Sequence, residues 1–262
     1  MKNRDMTKRP IGFMDSGVGG ISVLKEAVRV LPAEDFVYFG DSANAPYGTK
    51  TPAEIRELTF KAVEKLMDHD IKALVVACNT ATSSAIRDLR LKYSDMPIIG
   101  IEPAVKPAVV CGRGGRIIVM ATPMTIRQRK FRELVNTYES EAEIVPLACE
   151  GLMEFVEDPS KTKEELMAYL DENLGPVLTD DTESIVLGCT HYPFIADEIR
   201  EYLGDRPVML IDGSKGTSSQ LKQRLADSGL LRDDQEQGQI TMLNSSNDPE
   251  MMELSWRLFN EI

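Results

Sequence analysis

Two cysteines stand where strand-like runs end. Ala73–Ala77 leads into Cys78-Asn79-Thr80, and Ser184–Leu187 leads through Gly188 into Cys189-Thr190-His191. A free thiol with its pKa near ~8.5 is mostly protonated at neutral pH; placement at the start of a helix favours the thiolate and makes a usable base. Two such groups in equivalent places supply one proton acceptor and one donor for opposite faces of a single carbon. Inversion at a Cα–H centre needs that pairing. His191, two residues from Cys189, is a third acid/base candidate, and the carboxylates of Asp15 and Glu150, read as equivalent strand ends, could orient the thiols or take their protons. A Cys–His pair alone would also suit a thiol hydrolase. Cys111 and Cys149 read as small buried hydrophobes, and His69 as part of a solvated turn.

The other polar residues at strand ends are small or Gly-containing: Ser16 with the run Gly17–Gly20, Tyr47-Gly48, Asn79-Thr80 and Thr190. Exposed N–H groups at helix starts make such positions a cradle for carboxylates or phosphates. The glycine run has neither the Walker nor the dinucleotide spacing, so it reads as a tight turn or a close approach to a carboxylate. Lys215, after Asp212-Gly213-Ser214, reads as part of a turn and helix cap.

The elements that must carry these residues alternate almost from end to end. Apolar runs at Ile11–Met14, Phe36–Phe39, Ala73–Ala77, Ile98–Ile101, Ile117–Met120, Ile144–Leu147, Ser184–Leu187, Val208–Ile211 and Ile240–Leu243 are separated by helical periodicity. Thr51, Pro52 and Glu54 spell a capping box, as do Thr162 and Glu165; Asp248-Pro249 opens a last helix carrying Met252, Trp256 and Phe259. The pattern predicts an α/β fold of largely parallel sheets covered on both faces by helices. Ile11 falls on Ile118 at an offset of 107 residues, Asp41 on Glu150 at 109, and Cys78 on Cys189 at 111. Three matches in order at nearly constant offset indicate an internal duplication. Two similar domains follow, residues 1–100 with 211–262 and residues 101–210, with the soft boundary at Ile101–Pro107 and a site in the cleft between them, at the carboxyl ends of the strands.

The chain has 262 residues, 42 acids against 30 Lys+Arg and a net charge of −12, which disfavours nucleic-acid and membrane-surface partners. No apolar run approaches the ~18 residues of a membrane span, and the basic N-terminal segment has no signal-like apolar stretch. Four cysteines without a CxxC pair argue against a disulfide framework or a structural zinc, and suit a reducing cytosol.

The strings Gly12–Gly20, Pro46-Tyr47-Gly48, Ala77–Thr82, Glu102-Pro103-Ala104 and Gly188–Pro193 together resemble the glutamate racemases over nearly the whole chain. Asp212-Gly213-Ser214 departs from the family's usual Asp-Ser and is not read as functional. The resemblance implies cofactor-independent interconversion of L- and D-glutamate in the cytoplasm, supplying D-glutamate for peptidoglycan. It assigns Cys78 and Cys189 as the two acid/base residues, and Asp15, Glu150 and His191 as their support. It makes Asp15-Ser16, Tyr47-Gly48, Asn79-Thr80 and Thr190-His191 the substrate-holding pairs, with no metal and no nucleic acid needed and a homodimer as the assembly. Two alternatives stay open at this level: a racemase acting on aspartate or another amino acid, and a non-catalytic amino-acid-binding protein.

Overall fold

The computed structural model describes residues 5–261. Residues 1–4, where the basic N-terminal segment begins, lie outside the described part. The described chain divides into two compact units, one holding the residues up to Ile101 together with those from Ser214 onward, the other Glu102–Gly213.

The first unit is built on a five-stranded sheet, all parallel, in the order β4-β3-β1-β2-β9. Its strands are β1 (Ile11–Asp15), β2 (Phe36–Gly40), β3 (Ala73–Val76), β4 (Ile98–Gly100) and β9 (Ile240–Asn244). The β1 and β3 side chains are buried throughout, as in a sheet covered on both faces. Phe13 and Phe36 meet edge to face at 5.8 Å across the β1–β2 pair. Helix Pro52–Met67 starts from the Thr51–Glu54 capping box and buries Ile55, Ala62, Val63 and Leu66; each such aliphatic side chain contributes about 1.5–3 kcal/mol. At the amino ends of the strands Lys72 and Glu34 form a fully buried ion pair, and Lys72 also donates to the Thr7 carbonyl.

The second unit carries β5 (Arg116–Ala121), β6 (Glu143–Ala148), β7 (Thr182–Leu187) and β8 (Met209–Asp212), again parallel, in the order β6-β5-β7-β8. Read from its other edge this is β8-β7-β5-β6, the order of the first four strands of the other sheet. The sequence repeat is therefore also a repeat of topology. Its core gathers Val105, Ala108, Ile117, Val119, Phe131 and Val186.

Three expectations are corrected. The run Ile144–Leu147 is only partly covered, because β6 is an edge strand; Pro146 there is exposed, and proline's missing N–H is tolerated on an edge. Cys111 is exposed, since it ends a seven-residue helix (Val105–Cys111) that buries only Val105 and Ala108. The last helix (Pro249–Asn260) does open at Asp248-Pro249, but it buries Leu254, Ser255 and Leu258 and leaves Trp256 38% exposed. Among the described residues no helix is long and apolar enough to cross a membrane.

Candidate active site

Parallel register sets the carboxyl ends of β1, β2 and β3 side by side in the first unit. Asp15 pairs with Gly40 and Met14 with Val76, while Asp41 N–H donates to the Asp15 carbonyl at 2.9 Å. Asp15 is fully buried, and its carboxylate accepts the Gly17 N–H at 2.8 Å. That side-chain turn sends the chain through the glycine run into helix Ile21–Val30. Tyr38 secures the turn by donating to the Gly17 carbonyl at 2.7 Å. Gly20 is there for space: a Cβ on it would stand 2.7 Å from Asp15 Cβ and 2.9 Å from Ala77 Cβ. The glycine run is thus a tight turn into the helix, packed closely against Asp15 and Ala77.

Cys78 is the N-cap of the fourteen-residue helix Asn79–Lys92 and is 6% exposed. Its Sγ accepts the Ala81 N–H at 3.4 Å and lies 3.3 Å from Ser16 Oγ. The Ala81 N–H and the helix dipole favour negative charge on sulfur. Thr80 is buried beside it. The Asn79 side-chain carbonyl is buried without a protein donor among the described residues, leaving an acceptor for the N–H of a ligand. Tyr47 is buried, and its hydroxyl donates to Asp41 at 2.7 Å; Gly48 follows it, partly exposed.

In the second unit β5, β6 and β7 end together. Gly188 N–H donates to the Met120 carbonyl at 2.7 Å, and Cys149 N–H to the Ala121 carbonyl at 2.9 Å. Cys189, Thr190 and His191 are all buried there. Cys189 differs from Cys78 in its surroundings: no regular helix starts at it, and the short turn Tyr192–Ile195 comes three residues later. Its neighbour is His191, whose Nδ1 lies 3.7 Å from Sγ, while Nε2 is 2.7 Å from a Glu157 carboxylate oxygen. Burial alone would push the His191 pKa down, but its contacts with Cys189 and Glu157 hold it well above the usual histidine value. Tyr192 donates to the Cys149 carbonyl at 3.2 Å, joining the turn to the end of β6. Cys149 itself is buried, and burial first, then the charge of Cys189, pushes its thiol up to about 12. It is an inert thiol in place of a base.

Two positions need restating. Asp15 and Glu150 are not at equivalent strand ends. The counterpart of β1 is β5, which ends at Ala121 just before Thr122, whereas Glu150 follows β6, the counterpart of β2, and so matches Asp41. Glu150 is exposed, and the carboxylate bonded to His191 is Glu157, from the single helical turn Glu154–Glu157. Glu157 was missed, whereas Asp41 was marked only as the partner of Glu150 in the repeat. Ser214 starts helix Ser214–Asp227 with Lys215 exposed beside it, as a turn and helix start. Among the described residues no group of three or more His, Cys, Asp or Glu side chains could hold a metal.

Repeated parallel sheets, each with a buried cysteine and its polar partners at the carboxyl edge, define a class of amino-acid racemases. The chain belongs to the Asp/Glu/hydantoin racemase family, whose model matches residues 11–218. Within it, the chain is 53% identical to a glutamate racemase of Clostridium novyi (strain NT) over 259 residues, 98% of this chain and all of that one. It is similar in structure to a glutamate racemase isoform of Bacillus anthracis, with a TM-score of 0.87 and 30% identity, over 96% of this chain and 94% of that one. It is also similar to a Francisella tularensis glutamate racemase in complex with D-glutamate, with a TM-score of 0.83 and 27% identity, over 98% and 95% of the two chains.

Proposed function

We propose that this chain interconverts L- and D-glutamate by a two-base mechanism in which Cys78 and Cys189 serve one enantiomer each. The observation that carries the reading is the pair of buried cysteines at matching strand ends of two repeated sheets, each with its own polar partners.

In the proposed reaction one sulfur, as thiolate, takes the α-proton, and the electron pair of the broken C–H bond stays on the carbon and spreads into the adjacent carboxylate. The other sulfur, as thiol, gives its proton to the opposite face. Atoms balance, and the two thiols end with their protonation states exchanged. The barrier is high because a Cα–H is far less acidic than a thiol. Hydrogen bonds to the substrate carboxylate that strengthen as charge builds, and removal of water, lower it; proximity of both thiols adds up to roughly 7–11 kcal/mol in favourable cases. Ser16, Thr80, Thr190 and the N–H groups of Tyr47-Gly48 are the proposed carboxylate donors, and Asn79 Oδ1 is the acceptor for the ammonium. Asp15 supports Cys78. His191 supports Cys189, with Glu157 taking the place first given to Glu150, because its carboxylate is the one bonded to the imidazole.

The physiological reading is a cytoplasmic homodimer that supplies D-glutamate to peptidoglycan and needs no cofactor, supported by the likeness to the glutamate racemases. The test is incubation with each enantiomer of glutamate in D2O. Deuterium at the α-carbon together with loss of optical rotation is expected. Retention of the α-proton would leave a binding protein, and exchange with aspartate in preference to glutamate would move the substrate by one methylene, a difference worth about 1–3 kcal/mol in a pocket.

A further inference from the structure

Asp41 is a buried carboxylate that the reaction proposed above does not use. It is 4% exposed and sits just beyond β2, beside Asp15 in the sheet register. Its partners are neutral: the Tyr47 hydroxyl donates at 2.7 Å, and the Asn44 amide donates to both oxygens at 2.9 and 3.2 Å. Among the described residues no cation pairs with it. A carboxylate taken out of water in that way is costly unless its hydrogen bonds are needed.

What those bonds do is shown by the loop they span. Residues 41–50 make two short helical turns, Ser42–Asn44 and Tyr47–Thr49. The outside of the loop is fastened to the end of β9, where Ala43 N–H donates to Ser245 Oγ at 3.0 Å and Asn244 donates to Ser42 Oγ at 2.9 Å. The Asp41 carboxylate draws Asn44 from the first turn and Tyr47 from the second onto one group. Tyr47 is 1% exposed, so its ring is fixed by packing and its hydroxyl by Asp41.

We infer that Asp41 is a positioning residue: by taking the Tyr47 hydroxyl it sets the main chain at Tyr47-Gly48, so that this segment meets the substrate through backbone N–H groups and leaves the phenol out of the reaction. This rests on the reading of Tyr47-Gly48 as substrate-holding. A group that only fixes donors for the side-chain carboxylate of the substrate, on which no charge builds in the reaction, acts alike on bound substrate and transition state, and its loss appears in KM with kcat kept.

The experiment compares the unmodified chain with Asp41→Ala, Asp41→Asn, Tyr47→Phe and the Asp41→Ala/Tyr47→Phe double variant, for both enantiomers of glutamate. Asp41→Ala and Tyr47→Phe should each raise KM about tenfold or more in both directions, with kcat within about threefold. Asp41→Asn, whose amide oxygen still accepts the hydroxyl, should recover most of the loss, and the double variant should be no worse than the poorer single one because both remove one contact. Circular dichroism checks folding; if the alanine variant unfolds, Tyr47→Phe, which loses a single oxygen, decides alone. An unchanged KM in Tyr47→Phe, a fall in kcat at constant KM, or multiplying effects in the double variant would overturn this inference and leave the racemase reading standing. No α-exchange by the unmodified chain overturns both.

Discussion

The buried imidazole of His191 meets the partly buried carboxylate of Glu157: Nε2 is 2.7 Å from the carboxylate, and the opposite ring nitrogen faces Cys189 Sγ at 3.7 Å. An imidazole bonded to a carboxylate on one side and a sulfur on the other holds its proton beyond the ordinary pH range of histidine. It stands beside Cys189, the candidate base that no regular helix N-terminus serves.

Glu157→Gln removes the charge and keeps the shape. The His191 pKa falls, and the alkaline limb of kcat/KM moves to lower pH with a loss of about tenfold to a hundredfold, the size of one hydrogen bond to a charged group. Stability carries the same sign. Because the folded pKa is raised, the couple stabilises fully below the unfolded value near ~6.5 and loses its contribution as pH climbs through the folded value. Coincident pH–rate and pH–stability profiles for Glu157→Gln and the parent would show that the couple is idle.

Cys78→Ser and Cys189→Ser should each cut racemisation by about a hundredfold to ten-thousandfold with little change in melting temperature, since an alcohol is a much poorer base and nearly the same size. Enantiomers have equal free energy in water, so kcat/KM for the two directions must fall together. The asymmetry appears instead in the α-deuterium isotope effect, which should grow for the enantiomer whose deuteron the altered side removes. Near-normal turnover in either variant would sink the two-thiol assignment.

The legible parts of this molecule were those set by neighbours in sequence. An apolar run followed by Cys78-Asn79-Thr80 is a strand, an N-cap and a helix start, all within ten residues, and the capping boxes at Thr51 and Thr162 close over three. The equal strand order of the two sheets was present in the repeat of Ile11, Asp41 and Cys78 on Ile118, Glu150 and Cys189. Glu157 was not legible, because it meets His191 across 34 residues of chain and stands in a one-turn helix with no periodicity to mark it. Cys111 misled because a lone cysteine is most often a small buried hydrophobe, yet it ends a short helix whose neighbouring Val110 is 72% exposed. Composition speaks to average burial and says nothing of which face a short helix presents.

Gly20→Ala tests the close approach at Asp15. The added methyl would press on Asp15 and on Ala77, the residue before Cys78, at separations no ordinary carbon pair shows. Overpacking of this kind costs about 1–3 kcal/mol. Here the displaced group is a proposed site residue, so activity should fall further than stability, read as a drop in kcat/KM of the folded variant at 25 °C. Full activity in Gly20→Ala would mean that Asp15 tolerates being moved and has no part in the chemistry.

The Lys72–Glu34 pair lies at the amino ends of the strands, away from the candidate site residues of its unit, and separates folding from catalysis. It ties the start of β3 to the residues before β2, to the Thr7 carbonyl and, through Glu34, to the Arg232 N–H at 2.9 Å. Lys72→Met strands a buried carboxylate, which costs about 3–5 kcal/mol, whereas Lys72→Met with Glu34→Leu removes both charges and should recover most of that loss. In a chain of this size the single variant should melt roughly ten degrees lower. The folded fraction should keep the parent's KM, since no donor at the carboxyl edge has moved. Equal melting temperatures for parent and Lys72→Met would show the pair to be energetically idle, and a changed KM would show that the amino ends of the strands communicate with the site.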